Sequence, residues 1–346
     1  MKQKQTNKHL FKKKDYLLTL LLVILLLVLA LISLCVGRYG IPILDVIDVL
    51  YSKLVGKPAN VDSTVENVIL NLRLPRIIAS ILIGCSLALA GAAYQGIFKN
   101  PLVSPDILGV SSGAGLGAAM AILLNFGMIG TQLFSFIGGT IAVLITTLVP
   151  KLLKNQQTIV LVLGGIIVNG MMTSLLGLTK YMMDTENKLA EITYWLMGSI
   201  AKVSKVDIFI VSIPMIISII LLLAIRWRVN ILALGENEAK NLGVNTGFYR
   251  GFIIILSTVL TACAVSISGT IGWVGLIVPH LGRMLIGPDN AKLFPLSLII
   301  GGGFLLIIDT LSRTISPAEL PISILTGLLG APFYFWILNK QRMNLS

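Results

Sequence analysis

The sequence predicts an all-α membrane protein with about ten transmembrane helices, on the basis of its composition and its hydropathy pattern. Hydrophobic residues make up 55% of the 346 residues and charged residues 12%, whereas a soluble domain carries roughly 25% charged residues. Mean hydropathy is +0.91. Apolar runs of about 20 residues recur along the chain, which is the length that an α-helix needs to cross roughly 30 Å of hydrocarbon. These features exclude a water-soluble fold.

The first predicted span covers residues 17–36 and follows a lysine-rich tail at residues 1–15, which the positive-inside rule places in the cytoplasm. A retained helix is preferred to a cleaved signal peptide because the run is long and lacks a small-residue cleavage site. An even number of spans returns residues 341–346 to the cytoplasm. The nine further predicted spans are 74–94, 106–124, 130–150, 158–179, 206–225, 250–268, 272–286, 293–312 and 321–338.

The net charge of +12 does not indicate a nucleic-acid-binding protein, because the basic residues are scattered among apolar spans and form no soluble basic domain. The three cysteines lie singly, and the two histidines, His9 and His280, are far apart. Disulfides, a metal site and a haem site within one chain are therefore not expected, and no cofactor is predicted. The partner expected from hydropathy is membrane lipid.

Glycines spaced by four residues lie in the third predicted span, at Gly109, Gly113 and Gly117. A dinucleotide-binding loop is an alternative reading of this run, but the hydrophilic strand and turn that such a loop requires are absent. Small residues at this spacing let a neighbouring membrane helix approach closely, so helix packing is predicted. The chain also has no P-loop sequence, so ATP would have to be hydrolysed by another chain.

Four sequence motifs resemble those of the FecCD family, the membrane permeases of ABC importers for ferric siderophores, haem and cobalamin. The resemblance runs from about residue 17 to 340. The motifs are Arg73-Leu74-Pro75-Arg76, Asn100-Pro101-Leu102-Val103-Ser104-Pro105-Asp106-Ile107-Leu108-Gly109, Gly272-Trp273-Val274-Gly275-Leu276-Ile277-Val278-Pro279-His280 and Ala318-Glu319-Leu320-Pro321.

The resemblance implies a ten-helix permease domain over residues 16–340, with the fold of the cobalamin transporter. It further implies that spans two to five and seven to ten form inverted halves. In such an assembly two permeases, identical or paralogous, enclose the path in a bacterial cytoplasmic membrane. Two cytoplasmic ATPases lie below them, and a periplasmic or extracellular substrate-binding protein docks above.

Three arginines at the predicted outer surface are candidate docking residues: Arg73, Arg76 and Arg313. Arginines at helix ends often only anchor a helix at the membrane interface by snorkelling. The resemblance implies a further role, because arginines at the matching positions of the family receive glutamates from the two lobes of the binding protein. Docking is therefore the preferred reading.

The predicted cytoplasmic connection near residues 232–244 contains a short amphipathic helix, and the resemblance implies that it is the coupling helix that seats in the ATPase. A solvated loop helix is the alternative that periodicity alone leaves open. The candidate coupling residues are of three kinds. Leu234, Ala239 and Leu242 form an apolar face, Glu236 and Glu238 offer polar contacts, and Gly235 and Gly243 set the helix ends.

Asp309 is predicted to lie inside the membrane, where an ionisable group is expensive. Proton coupling is conceivable, but pairing with Arg313 at the i, i+4 spacing is preferred. Pro279 and His280 lie in a short span that could be broken and border the path. For His280 and Arg283 a gate, an anion contact and helix-end hydrogen bonding all remain open, and no residue is assigned a catalytic role.

These features together predict the permease subunit of an ATP-driven importer, without enzymatic activity of its own. Ferric siderophore is the preferred cargo, because siderophore systems are the most numerous members of the family, and haem and cobalamin are the alternatives. A secondary transporter driven by protons or sodium is the main competing class, supported by Asp309, Asn169 and the broken eighth span. The lack of further intramembrane acids weakens that alternative, and no cluster of polar groups supports a membrane-embedded enzyme.

Overall fold

The computed structural model describes residues 2–155, 157–184 and 186–343, so Met1 and residues 344–346 of the predicted cytoplasmic ends lie outside the described residues. The described chain is helical, with fourteen α-helices. In chain order they are α1 (Lys2–Cys35), α2 (Ile43–Val55), α3 (Ser63–Asn67), α4 (Leu74–Phe98), α5 (Val110–Leu123), α6 (Gly127–Leu152), α7 (Thr158–Tyr181), α8 (Lys188–Leu196), α9 (Lys205–Leu234), α10 (Glu236–Asn241), α11 (Thr246–Ser268), α12 (Val274–Ile286), α13 (Asn290–Ser312) and α14 (Ile322–Met343).

The predicted all-α fold with ten membrane helices is confirmed within the described part of the chain. Seven helical segments there are long and apolar enough to cross a membrane: α1, the continuous segment from α3 to α4, α6, α7, α9, α11 and α13. Three shorter apolar helices, α5, α12 and α14, occupy the positions of the remaining predicted spans. Of the long helices, α4 and α11 are the most buried, so they form the centre of the bundle.

The second membrane helix begins earlier than the sequence predicts. α3 continues through a π-helical turn, Val68–Arg73, directly into α4, giving one helical segment of 36 residues over Ser63–Phe98. Pro75 lies in the first turn of α4. Because proline lacks an N–H and its ring collides with the carbonyl four residues earlier, a regular α-turn cannot pass through this point. The wider π-turn accommodates the proline without ending the helix.

The helices α5 and α12 are too short to cross the membrane alone. They have 14 and 13 residues, or about 20 Å at 1.5 Å per residue, against roughly 30 Å of hydrocarbon. Each begins after a residue with positive φ, Gly109 at +84° and Trp273 at +72°. The break in the eighth predicted span therefore lies before Val274, and Pro279 is inside a continuous helix.

The non-helical segment before α12 is held by protein rather than exposed to lipid. The backbone N–H of Ser199 donates to the carbonyl of Ser268 at 2.8 Å, and the Ser323 hydroxyl donates to the carbonyl of Thr270. Irregular backbone at membrane depth requires partners of this kind. α12 packs on α4, and α5 packs on α11. In the inverted halves implied by the resemblance, α4 corresponds to α11 and α5 to α12, so these two contacts would be equivalent.

Glycines allow several helices to approach each other closely. A Cβ on Gly84 of α4 would overlap the backbone carbonyl of Gly301 on α13, and a Cβ on Gly113 of α5 would overlap that of Gly138 on α6. A Cβ on Gly117 would overlap the carbonyl of Phe134 in the same way. Gly109 differs from these residues, because a Cβ there would meet no atom closer than 3.6 Å. A glycine suits this position because its φ is positive.

Candidate functional site

One end of the helix bundle carries a cluster of charged residues, here called the arginine cluster: Arg73, Arg76, Arg313, Asp309 and Glu319. Arg73 is 6% exposed and lies at the end of the π-turn. Its guanidinium donates hydrogen bonds to the carbonyls of Leu34, Cys35 and Tyr39. These carbonyls lie at and just beyond the C-terminus of α1, where the carbonyls of the last turn have no N–H donors inside the helix and attract cations.

Arg313 completes the same anchorage from the end of α13. Its Nη2 donates to the carbonyl of Ser33 and, at 2.6 Å, to the Ser33 hydroxyl. Arg313 is 7% exposed. Two of the three candidate docking arginines are therefore buried and bound to the end of α1, which is a structural role that the sequence did not indicate.

Arg76 holds two carboxylates from distant parts of the chain. Its Nε donates to both oxygens of Asp309, at 2.8 and 3.1 Å, and its Nη1 donates to both oxygens of Glu319 at 2.9 Å. The Asp309 side chain is fully buried, whereas that of Glu319 is 33% exposed. The predicted pair of Asp309 with Arg313 is therefore wrong. Arg76 reaches Asp309 from a packed neighbouring helix, and Arg313 turns toward Ser33.

A depression of about 350 Å³ opens over this cluster and is lined by Arg38, Arg73, Arg76, Arg313 and Glu319, together with Asn71 and apolar neighbours. In two of the lining residues a buried donor, Nη2 of Arg76 and Nε of Arg313, has no hydrogen-bond partner among the described residues. The three arginines of the cluster outnumber its two carboxylates. The depression is therefore lined by residues of net positive charge, which suits an incoming carboxylate.

The opposite end of the bundle carries the predicted coupling segment. α4 ends there at Phe98, and Lys99 lies beside the position that a Cβ on Gly235 would occupy. α9 continues to Leu234, and α10 follows after Gly235. Gly235 has φ +138° and ψ 165°, a conformation that is essentially restricted to glycine. This residue therefore sets the sharp turn between the membrane helix and α10.

The surface around α10 combines two exposed leucines with charged side chains. Leu234 is 58% exposed and Leu242 60% exposed, whereas Ala239 is fully buried against the bundle. Glu236 pairs with Lys240 at 2.9 Å and lies 4.0 Å from Arg250. The hydrogen bond from Lys240 lowers the pKa of Glu236 below its usual value. Gly243 follows with φ +74° and turns the chain toward α11.

The residues of α12 that were predicted to border a path contact α4 and α14. His280 is 7% exposed, its ring lies edge-on to Tyr334 with 6.4 Å between ring centroids, and its Nδ1 has no partner among the described residues. Arg283 donates to the side-chain oxygen of Gln95 on α4. Arg283 thus bonds to a neutral amide, and the pair links α12 to the central helix α4.

Sequence reasoning missed three participants, Arg38, Gln95 and Glu319. Glu319 lies in one of the quoted motifs, but 243 residues separate it from Arg76, and no pattern in a single chain reveals that contact. Arg38 lines the depression from the non-helical segment after α1, where the sequence has no helical periodicity. Among the residues that the structure describes, no group of three or more histidine, cysteine, aspartate or glutamate side chains could hold a metal ion.

Comparisons with known proteins agree on the family and on the fold. Residues 25–340 match the model of the FecCD transport family. The molybdate import system permease protein MolB of Haemophilus influenzae is 41% identical over 329 residues, covering 94% of this chain and 95% of the relative. A Helicobacter pylori permease assigned provisionally to iron chelatin transport is 39% identical over 280 residues, covering 81% and 85%. Further relatives are named for hemin and for cobalamin import.

A solved structure gives the same result for the fold. It is an ABC transporter, assigned provisionally to the metal-chelate type, in an inward-facing conformation. The TM-score is 0.84 at 39% identity, and the match covers 93% of this chain and 99% of that chain.

Proposed function

The chain belongs to the FecCD transport family, and we propose that it is the membrane-spanning permease subunit of an ATP-driven importer. One structural observation carries the proposal: the two surfaces that such a subunit needs lie at opposite ends of the bundle. The arginine cluster and its depression lie beside the start of α4. The surface of α10, with Leu234 and Leu242, lies beside the end of α4.

In this proposal α10 faces the cytoplasm together with both chain termini, and a separate ATPase subunit binds it. The exposed leucines supply the apolar contact, and Glu236 and Glu238 supply polar contacts at the rim. Ala239 packs α10 against the bundle, so a displacement of α10 is transmitted to α9 and α11. Nucleotide binding that draws two ATPases together would thereby switch a pair of permeases between outward and inward access.

The ion pair of Asp309 favours this class over an ion-coupled secondary transporter. Both oxygens of Asp309 accept hydrogen bonds from Arg76, and the carboxylate is fully buried. Proton relays in membranes consist of chains of Asp, Glu or His side chains, whereas Asp309 is held in an ion pair with Arg76. Asp309 acts instead as the residue that orients Arg76.

We further propose that the depression receives a carboxylate of a substrate-binding protein. Arg76 is the contact residue, because it lines the depression and its second carboxylate, Glu319, is partly exposed and displaceable. Arg73 and Arg313 contribute positive charge while they fix the end of α1 beneath the contact.

The docking proposal predicts that Arg76→Gln combined with Asp309→Asn weakens binding of the cognate substrate-binding protein roughly 10- to 100-fold, the range expected for losing one charged hydrogen bond. The second substitution avoids leaving a buried charge without its partner. Asp309→Asn alone keeps the guanidinium and is the control. Surface plasmon resonance on the detergent-purified transporter measures both, and equal affinity of the two variants would contradict the assignment of Arg76.

For the cargo, we propose a metal taken up as a soluble complex, with ferric siderophore as the first candidate. The named relatives support a metal-containing cargo in general, since they include permeases for iron chelatin, hemin and cobalamin. Molybdate is the second candidate, and one observation favours it: the molybdate permease is 41% identical and matches 94% of this chain.

Uptake in a deletion strain tests the function and the cargo together. Cells lacking the gene, and the same cells complemented with it, receive ⁵⁵Fe-siderophore, hemin, cobalamin and ⁹⁹Mo-molybdate in parallel under starvation for each. We expect loss of iron uptake that complementation restores. Restored molybdate uptake alone would replace the first cargo by the second. If the deletion lowers the uptake of none of the four compounds, the cargo proposal is overturned. If the deletion also leaves growth unchanged under conditions in which growth depends on each compound, importer function is overturned.

A further inference from the structure

A groove on the membrane-facing side of the bundle adjoins the depression of the arginine cluster and has no role in the proposed transport cycle. Its volume is about 1010 Å³, and α4 and α9 form its two walls. On α9 the lining runs from Lys205 to Ile219, which is about 21 Å along a helix at 1.5 Å per residue. One leaflet of a bilayer contributes roughly 15 Å of hydrocarbon. The groove thus spans one leaflet from its interface inward.

The lining changes character along this length. The deep part is formed by apolar side chains such as Leu82, Ile216 and Leu298. The rim is polar and includes Lys53 of α2, Lys205 of α9 and Asn71 of the π-turn. Lys205 Nζ donates to the Asn71 side chain at 2.6 Å. A ligand that fits this lining needs an apolar tail and one polar head.

The charge of the rim selects the kind of head. Both lysines are exposed, and Glu66 is the only acidic side chain among the described residues that line the groove. The rim therefore has a net positive charge. A lysine ammonium is a point donor that binds phosphate, and Lys205 keeps protons free beyond its bond to Asn71.

The exposed apolar side chains around this groove indicate that it faces lipid. Phe209, on the wall of the groove, is 68% exposed, and its neighbours Ile213 and Ile217 are about half exposed, at 50% and 53%. α9 is among the least buried of the long membrane helices. Asn71 lines both the groove and the depression of the arginine cluster, so the polar rim lies at the same membrane interface as that cluster.

We propose that this groove binds an anionic glycerophospholipid of the leaflet on the arginine-cluster side. Its acyl chain lies between α4 and α9, and its phosphate is held by Lys53 and Lys205. Because α2, the π-turn and α9 all contribute to the rim, the bound lipid ties α2 and the π-turn to α9.

The test is titration of the delipidated, detergent-purified full chain with phosphatidylglycerol, followed by native mass spectrometry. We expect Lys53→Gln with Lys205→Gln to raise the Kd roughly 30-fold, since each lysine contributes attraction of the order known for basic residues at anionic membranes. Lys57→Gln with Lys202→Gln is the matched control: both are exposed lysines close by in the chain that do not line the groove. We expect the control to bind as the wild type does.

Two further comparisons separate this proposal from other occupants. Ser212→Phe fills the groove and should abolish the lipid adduct, whereas Ile213→Phe on the adjacent exposed position should not. Soluble glycerol phosphate should not compete, because it lacks the tail. The proposal is overturned by equal affinities of the two double variants, by binding of phosphatidylcholine as tight as that of phosphatidylglycerol, or by a photo-crosslinker at Phe209 that captures only protein in membranes.

Discussion

Arg76→Ala is expected to destabilise the folded protein by about 3–5 kcal/mol, the range found when one partner of a buried ion pair is removed. The Asp309 side chain is fully buried, and its hydrogen bonds from Arg76 are the contacts that satisfy its charge. Without them a carboxylate remains inside the bundle at high free-energy cost. Thermal unfolding of the detergent-purified protein, followed by fluorescence-detected size-exclusion chromatography, measures the loss.

The double variant distinguishes a buried charge from lost packing. Arg76→Met with Asp309→Leu replaces the pair by apolar side chains and should recover most of the stability, because replacing both members of a buried pair is often neutral. Lys240→Ala breaks the exposed pair with Glu236 and is the control, with an expected effect of about 0–1 kcal/mol. Arg76→Ala as stable as Lys240→Ala would refute the role of the pair.

Leu242→Asp should release the ATPase subunit from the permease, with affinity reduced roughly 30-fold or more, as for an interface residue whose loss costs about 2 kcal/mol. Leu242 lies beside α10, and its side chain is 60% exposed. Copurification of the tagged permease with its ATPase measures association, and uptake should be lost in parallel. This prediction depends on the proposed function.

Leu153→Asp provides the matched control for that experiment. Leu153 follows α6 and is 65% exposed. It lies at the same end of the bundle as α10, because the Thr146 hydroxyl, near the end of α6, donates a hydrogen bond to the carbonyl of Leu108, which follows shortly after the end of α4. Gly235→Ala tests the geometry separately, since its backbone conformation strongly disfavours a side chain and the added methyl would meet the Glu238 carboxylate. Retained association in Leu242→Asp would reject α10 as the coupling surface, and equal loss in Leu153→Asp would make the effect non-specific.

The membrane helices were predictable from the sequence, because the bilayer imposes a requirement that is local in the chain. A segment that crosses hydrocarbon must satisfy its own backbone hydrogen bonds and must be apolar over about 20 residues. Hydropathy therefore located ten helices, and glycines at a spacing of four marked Gly113 and Gly117, where α6 approaches. The start of the second membrane helix was misjudged, because the polar residues before Arg73 hide a helix that continues through a π-turn.

The candidate sites depended on the tertiary structure to a greater degree. The sequence by itself determined that arginines flank the membrane helices, that an acid lies within α13 and that a short segment separates α9 from α11. Only the folded chain decided that Arg76 pairs with Asp309 across 233 residues, and that Arg73 and Arg313 are buried against the end of α1. The physical reason is that helical periodicity reports which neighbours share a face within one helix, whereas ion pairing in a bundle depends on which helices pack together.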